Sequence, residues 1–285
     1  MFAIRMFINS LSTRSASMIL AFVCIGFLMG CGGDISGPEI NFSANGFKFS
    51  DPEFSMQKTF EAEVPVENHT SVNLEAINGE VMVTGHRDVD VVLVAAHLIV
   101  ESDSQADADK HIDDLEIQVT DSTNEILIQT VQPQNSDGRK YLVEYDIIVP
   151  SDFMVITTQV NGSIDIVDIE NSVDVLNVNG DIRLSDIVGG VVTDVVNGSI
   201  AATVTLPVND TIDLITDNGS IELRIPRSTS AVLGGSVVDG AIHTSNIEFA
   251  DLVQTSHSLT GTLGNGEGVI ELWAGNGNIN LIGFN

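Results

Sequence analysis

The sequence predicts an all-β protein: a β-solenoid (single-stranded β-helix-like) preceded by a β-rich capping section with one short helix. Three observations carry that expectation. First, an Asn-Gly-x-(Ile/Val) unit recurs at Asn78-Gly79, Asn161-Gly162, Asn179-Gly180, Asn197-Gly198, Asn218-Gly219 and Asn276-Gly277, with Asp239-Gly240 as a variant. Second, the spacings from Asn161 to Asp239 are 18, 18, 21 and 21 residues, then 37 to Asn276, about two periods, with Gly264-Asn265-Gly266 between. Third, each unit continues in period-two alternation, as in Ile182-Arg183-Leu184 and Ile221-Glu222-Leu223-Arg224-Ile225, which turns one face to a core and the other to water.

The turn comes first in each unit. Asn-Gly supplies residues that tolerate a positive φ, which a tight corner needs. A strand follows, then a second turn at Asn171-Ser172, Gly189-Gly190 or Asn209-Asp210, then a second strand. Asn-Gly between alternating strands is also a hairpin signal, so an antiparallel β-sandwich is the alternative fold. A constant phase favours the solenoid, because coils stacked about 4.8 Å apart would bring the Asn side chains into register. On that reading Ile164, Ile182, Ile200, Ile221 and Ile242 form one interior column, each beside its counterpart in the next coil.

Residues 56–155 differ from the repeats of 156–285. Thr59 to Val66, Ser71 to Ala76, Glu80 to Thr84 and Val89 to Val100 read as strands. Asp103 to Glu116 reads as a helix, with Ser102 or Asp103 at its cap and Ala108, Ile112 and Leu115 on one face. Strands return at 117–119, 125–131 and 141–149. This section can close an end of the solenoid, which otherwise exposes unpaired backbone groups.

Composition limits the function. The chain has 285 residues, 43% apolar and 18% charged, which is too apolar for a disordered chain. It carries 11 Lys+Arg against 40 Asp+Glu, a formal charge of −29, so no nucleic-acid partner is expected. Two Cys cannot build a disulfide framework.

Residues 1–30 read as a lipoprotein signal peptide. Arg5 and Arg14 give a basic start, and Met18 to Met29 is an apolar run too short to span a bilayer. Leu28-Met29-Gly30-Cys31 resembles the lipobox of bacterial lipoproteins, with Cys31 as the lipid-attachment residue. Gly32 after it is not the Asp that retains enteric lipoproteins in the inner membrane, which favours the outer membrane. Residues 31–55 read as a flexible tether. Cleavage before Cys31 removes Arg5 and Arg14 and leaves nine basic residues against 40 acids, a side-chain charge of −31.

The order of segments resembles the putative-adhesin family of β-strand-repeat proteins, which overlaps the head-domain putative auto-transporter adhesins. Three stretches carry the resemblance: Ile77-Asn78-Gly79-Glu80-Val81-Met82-Val83-Thr84-Gly85, then Tyr145-Asp146-Ile147-Ile148-Val149-Pro150, then the serial Val-Asn-Gly units from Val160. It covers about residues 60–285. It implies a β-solenoid on the cell surface and brings no catalytic residues.

Catalytic and metal patterns were sought residue by residue. Gly264-Asn265-Gly266-Glu267-Gly268 opens no helix, as a phosphate loop must, and reads as a repeat turn. His69, His86, His97, His111, His243 and His257 have no metal-ligand spacing. Asp88/Asp90 and Asp107/Asp109 are paired acids, without the spacing of a calcium loop. A glycan groove needs cations or stacking aromatics, and from residue 160 onward only Arg183, Arg224, Arg227, Phe249, Trp273 and Phe284 supply them. The expectation is a non-catalytic, lipid-anchored cell-envelope protein for adhesion or protein interaction, with no cofactor, no metal and an unknown protein or glycan ligand. The alternatives are an envelope scaffold or stress-signalling accessory and a polysaccharide-active β-helix enzyme.

Overall fold

A computed structural model describes residues 40–43, 46–49, 54–122 and 124–285. Cys31, with its lipobox and signal peptide, lies outside the described residues. Strands β1 (Ile40–Ser43) and β2 (Gly46–Phe49) pair as a short antiparallel hairpin inside the segment read as a tether.

The body begins with β3 (Phe54–Pro65), β4 (Ser71–Glu75), β5 (Val81–His86) and β6 (Val91–Ser102). Helix α1 (Gln105–His111) and a 3-10 turn (Ile112–Asp114) follow, then β7 (Glu116–Asp121), β8 (Glu125–Val131) and β9 (Lys140–Pro150). Five strand pairs come next: β10 (Met154–Asn161) with β11 (Ile164–Val167), β12 (Val173–Asn179) with β13 (Ile182–Val188), β14 (Val191–Asn197) with β15 (Ile200–Thr205), β16 (Thr211–Asn218) with β17 (Ile221–Pro226), and β18 (Ala231–Asp239) with β19 (Ile242–Ser245). The chain ends in a hairpin, β20 (Ala250–Gln254) and β21 (Ser258–Leu263), and a last pair, β22 (Gly268–Asn276) and β23 (Ile279–Phe284).

These strands build two sheets. Sheet I has eleven strands in the order β20-β21-β18-β22-β16-β14-β12-β10-β4-β8-β7, and sheet II has ten, β19-β23-β17-β15-β13-β11-β5-β9-β6-β3. Every strand before an Asn-Gly corner lies in sheet I, and every strand after it in sheet II. Each coil thus contributes one strand to each sheet and turns between them at Asn-Gly. Neighbouring coils pair in parallel, as the constant phase of the repeat requires. The fold is a two-sheet β-solenoid, and both sheets run unbroken from residues 56–155 into 156–285.

Inward-facing residues fill the space between the sheets. Ile164, Ile182, Ile200, Ile221 and Ile279 form a fully buried column in sheet II. The expected column is corrected at one place: Ile242 pairs with Ile279, and Ile221 also pairs with Ile279, so the two are not neighbours. The reason is coil order. The β22/β23 coil inserts between β16/β17 and β18/β19, and the 37-residue spacing from Asp239 to Asn276 is one coil lengthened by the β20–β21 hairpin. Gly264-Asn265-Gly266 joins β21 to β22 and is not a coil corner; its two glycines have φ of +55° and +74°.

The other end uses the same device. The β4/β5 coil inserts between β8/β9 and β10/β11, and antiparallel strands finish the edges: β6 and β3 on sheet II, β7 on sheet I. Parallel pairing gives way to antiparallel pairing where the repeat stops: β7 and β6 cover the β8/β9 coil on both sheets, β21 covers β18, and β19 is the outermost strand of sheet II. Helix α1 is shorter than the sequence suggests. Its cap is Ser104, whose side chain accepts from the Asp107 N–H, because Ser102 and Asp103 are still committed to and just beyond β6.

Candidate functional site

The Asn-Gly corners line up along one edge of the solenoid. Each Asn amide donates to the Asn of the coil on its β4 side: Asn276 Nδ2 to Asn218 Oδ1 at 2.8 Å, Asn218 to Asn197 at 3.0 Å, Asn197 to Asn179 at 2.9 Å, Asn179 to Asn161 at 2.8 Å and Asn161 to Asn78 at 2.7 Å. Asn78 closes the ladder on the Tyr141 carbonyl at 3.1 Å. An ionised Asp has no donor, and Asp239 stands in register with Asn276 in the terminal coil, where the ladder ends. Gly162 and Gly180 have φ of +135° and +133°, and a Cβ on either would overlap the carbonyl oxygen of the preceding corner's glycine. Gly79, Gly198, Gly219, Gly240 and Gly277 occupy the equivalent places and meet the same kind of backbone obstacle. The predicted turn residues Asn78 to Gly277 therefore form a structural spine, with no open site at it.

Sequence reasoning missed three polar side chains just inside that spine, at positions that Ala76, Val195, Val237 and Ala274 fill in the other coils. Two residues before each Asn-Gly, the side chain points inward. Asn177 Nδ2 donates to the carbonyls of Gly162 at 2.9 Å and Gly180 at 3.1 Å. Thr216 Oγ1 donates to Gly198 O at 2.7 Å, and Gln159 Nε2 to the carbonyls of Gly79 and Asn161. These side chains satisfy corner carbonyls that would otherwise be buried without donors. The readable signal was polarity on an inward phase, at Gln159, Asn177 and Thr216.

The ionisable groups separate by sheet. Sheet II strands carry Lys58, His86, His97, Lys140, Arg183, Arg224 and His243, and the eleven strands of sheet I contain no Lys, Arg or His. On sheet II, Arg183 faces Asp165 at 3.7 Å, Arg224 bonds Glu222 at 2.9 Å and Lys140 lies 3.5 Å from Glu101. Asp168, just after β11, sits at a corner with φ of +60°. An open depression of about 290 Å³ on sheet II is lined by Glu80, Met82, His97, Glu144, Asp146 and Asp165 among others.

The outward face of sheet I is a mosaic. One row across the strands reads Ile156, Asp174, Val192, Asp213 and Glu271; the next reads Leu176, Asp194, Ile215 and Trp273. All but Val192 are half-buried, and Val192 is 42% exposed. Two glycines make the surface smooth. The Glu271 carboxylate lies over Gly234, where a Cβ would come 2.7 Å from Oε2, and the Trp273 ring lies over Gly275. Burial among apolar neighbours disfavours charge on these acids. Burial pushes Asp174 and Asp213 up from the usual carboxylate range. It raises Glu271 as well, with help from the Asp213 charge. Asp194 is pushed up to about 6, by burial first and then by the charges of Asp217 and Asp213.

The remaining predicted groups are bound up locally. Asp107 is gripped by Arg139 Nε at 2.6 Å and Ser102 Oγ at 2.6 Å, which hold its carboxyl well below the usual range. Buried His69 meets the Val66 carbonyl at 2.7 Å and Asp121 at 2.6 Å; burial works against its charge, and these partners outweigh burial and raise its pKa. Among the described residues, no three His, Cys, Asp or Glu side chains converge as a metal centre. Among them too, no helix is long and apolar enough to cross a membrane.

Comparison with curated proteins finds no match. Solved structures to which the chain is similar include a putative cell adhesion protein from Clostridium sporogenes, 13% identical, covering 80% of this chain and 100% of that one with a TM-score of 0.45. A putative adhesin from Bacteroides fragilis is 11% identical, over 79% of this chain and 97% of that one, with a TM-score of 0.35. A putative lipid binding protein from Parabacteroides distasonis is 10% identical, over 79% and 96%, with a TM-score of 0.23. The family model described as Toastrack DUF4097 matches residues 34–282, across the whole two-sheet solenoid, and the chain belongs to that family.

Proposed function

We propose that this chain is a non-catalytic cell-envelope lipoprotein, anchored through Cys31, whose solenoid serves as an adhesion or protein-interaction module. One observation carries the reading. The described residues stack eight coils (β8/β9, β4/β5, β10/β11, β12/β13, β14/β15, β16/β17, β22/β23 and β18/β19) into a rigid body with two long strand faces turned to solvent. A repeat of this kind offers extended surface and nearest-neighbour stability. The acids that sequence pairing suggested for chemistry do not form a catalytic pair: Asp107 is held by Arg139, and Asp88 and Asp90 lie in the turn between β5 and β6. Leu28-Met29-Gly30-Cys31 supports the anchor, and more than one acyl chain makes such an anchor stable.

The test is expression of the wild type and Cys31→Ser, followed by membrane fractionation, mobility and adhesion of intact cells to protein-coated surfaces. The reading expects membrane partition and adhesion for the wild type, and an uncleaved or released variant that no longer supports adhesion. Equal membrane association with unshifted mobility removes the lipid anchor. Cleavage of an acidic polysaccharide by the purified chain removes the non-catalytic assignment.

A further inference from the structure

We infer that the outward face of sheet I docks a basic, amphipathic polypeptide segment, with its Lys and Arg on Asp174, Asp194, Asp213 and Glu271 and its apolar side chains on Leu176, Val192, Ile215 and Trp273. This deepens the binding-module reading and rests on it. Three features of the face point to that partner.

The first is charge. Asp174, Asp194, Asp213 and Glu271 stand on this face, and none of the eleven strands that make it contains a basic side chain, so any cation they meet must come from outside the sheet. On sheet II, by contrast, Arg183, Arg224 and Lys140 already neighbour Asp165, Glu222 and Glu101. Complementary charge steers encounter and selects the partner.

The second is the alternation itself. Within a row, apolar and acidic residues interleave from β10 to β16, as Ile156, Asp174, Val192, Asp213 in one and Leu176, Asp194, Ile215 in the next, and β22 closes the rows with Glu271 and Trp273. A bare cation or polyamine would use the acids and leave the apolar positions wet. A polypeptide whose every second residue is alternately apolar and basic uses both, because side chains at i and i+2 of an extended chain share one face and can meet neighbouring positions of such a mosaic.

The third is flatness. The missing side chains at Gly234 and Gly275 leave room for the Glu271 carboxylate and the Trp273 ring to lie close to the sheet, where a backbone can approach them. The acids are also half-desolvated before any partner arrives, so pairing them removes an existing penalty in addition to forming a contact.

Trp273 is the sole tryptophan of the chain and lies within this face, so its fluorescence reports on the site directly. The experiment uses the full chain and a synthetic peptide of repeated Lys-Ser-Val-Ser, which sets Lys and Val alternately on one face (the Lys-Val peptide), at physiological salt, with its Glu-Ser-Val-Ser counterpart (the Glu-Val peptide) and an all-Lys peptide as comparisons. Two triple variants carry equal changes in charge: Asp194→Asn/Asp213→Asn/Glu271→Gln on sheet I, and Glu101→Gln/Asp165→Asn/Glu222→Gln on sheet II. The expected result is a saturable Trp273 emission shift with Lys-Val peptide, at least about tenfold weaker binding for the sheet I triple, and less than about twofold change for the sheet II triple. The Glu-Val peptide gives no shift, and all-Lys binds more weakly than Lys-Val. Equal weakening by both triples, or equal binding of all-Lys and Lys-Val, would mean bulk attraction to an acidic body and overturns the proposal. So does an emission change that calcium alone reproduces, or one that follows protein concentration without peptide. If cells adhere through the Cys31-anchored chain while the peptide fails to bind, only the docking proposal falls.

Discussion

The two sheets of the solenoid are made by the same repeat, yet they differ on both faces. Between β10 and β17, sheet II is apolar inside, with columns such as Ile164, Ile182 and Ile200, while sheet I buries Thr157, Gln159, Asn177, Thr193 and Thr216. Outside, sheet II mixes charges and pairs them; sheet I carries acids alone, among apolar side chains. The sheet that leads into each Asn-Gly corner therefore serves two roles. Three of its inner polar groups, Gln159, Asn177 and Thr216, satisfy the corner, and its outer face holds carboxylates against their preference for water. The sheet that follows the corner supplies uninterrupted apolar packing. Division of labour between alternate strands lets one sequence repeat build a stable stack and a differentiated surface.

The largest effect lies where the sheets agree, in their apolar interior. Ile200→Ala in sheet II and Leu214→Ala in sheet I, both fully buried, should each lower unfolding free energy by about 2–5 kcal/mol in denaturant melts. A loss confined to sheet II would mean that sheet I contributes little to the core. The next effect separates the sheets. Thr193 Oγ1 is buried with no hydrogen-bond partner among the described residues, so Thr193→Val in sheet I should raise stability by about 1 kcal/mol, read as a higher melting temperature.

The pH dependence follows from the same contrast. Asp194 titrates near 6 in the folded chain and near 3.8 when unfolded, so the folded state binds this proton more tightly. Stability from this group is then lowest at neutral pH and rises as pH falls from about 7 toward about 4. Asp107 acts in the opposite direction, because its carboxyl is depressed by Arg139; its contribution is present above the ordinary value and is lost as pH falls below it. Melting temperature should therefore pass through a maximum between pH 4 and 6, and Asp194→Asn should flatten the neutral side of that curve. The smallest effect is that of moderate sodium chloride, which should raise the melting temperature by screening repulsion across a chain of formal charge −29.

Much of this was legible in the sequence. The Asn-Gly phase and the alternation after it specify parallel stacked coils, because in-register Asn and Ile residues have no other common purpose. Coil order at the two ends was not legible. Asn276-Gly277 carries the same local signal as Asn218-Gly219, and only the length of the β20–β21 hairpin lets β22 return beside β16 ahead of β18. Hence Ile279, not Ile242, follows Ile221. The helix cap moved to Ser104 because β6 continues to Ser102, a tertiary pairing with β3 that local pattern does not reveal. The face of sheet I was half legible. The strand before each corner from Asn161 on contains no Lys, Arg or His, which is readable directly. What was missing was the knowledge that all those strands join one sheet, which turns scattered absences into a face without cations.

The most direct measurement compares thermal melting of the two charge-matched triple variants at pH 7. If the carboxylates of sheet I are held uncompensated while those of sheet II are paired, Asp194→Asn/Asp213→Asn/Glu271→Gln raises the melting temperature above wild type. Glu101→Gln/Asp165→Asn/Glu222→Gln, which removes the partners of Lys140, Arg183 and Arg224, leaves it unchanged or lowers it. Equal shifts in the two variants would contradict the distinction between the sheets, and would reduce the acidity of this chain to a uniform surface charge.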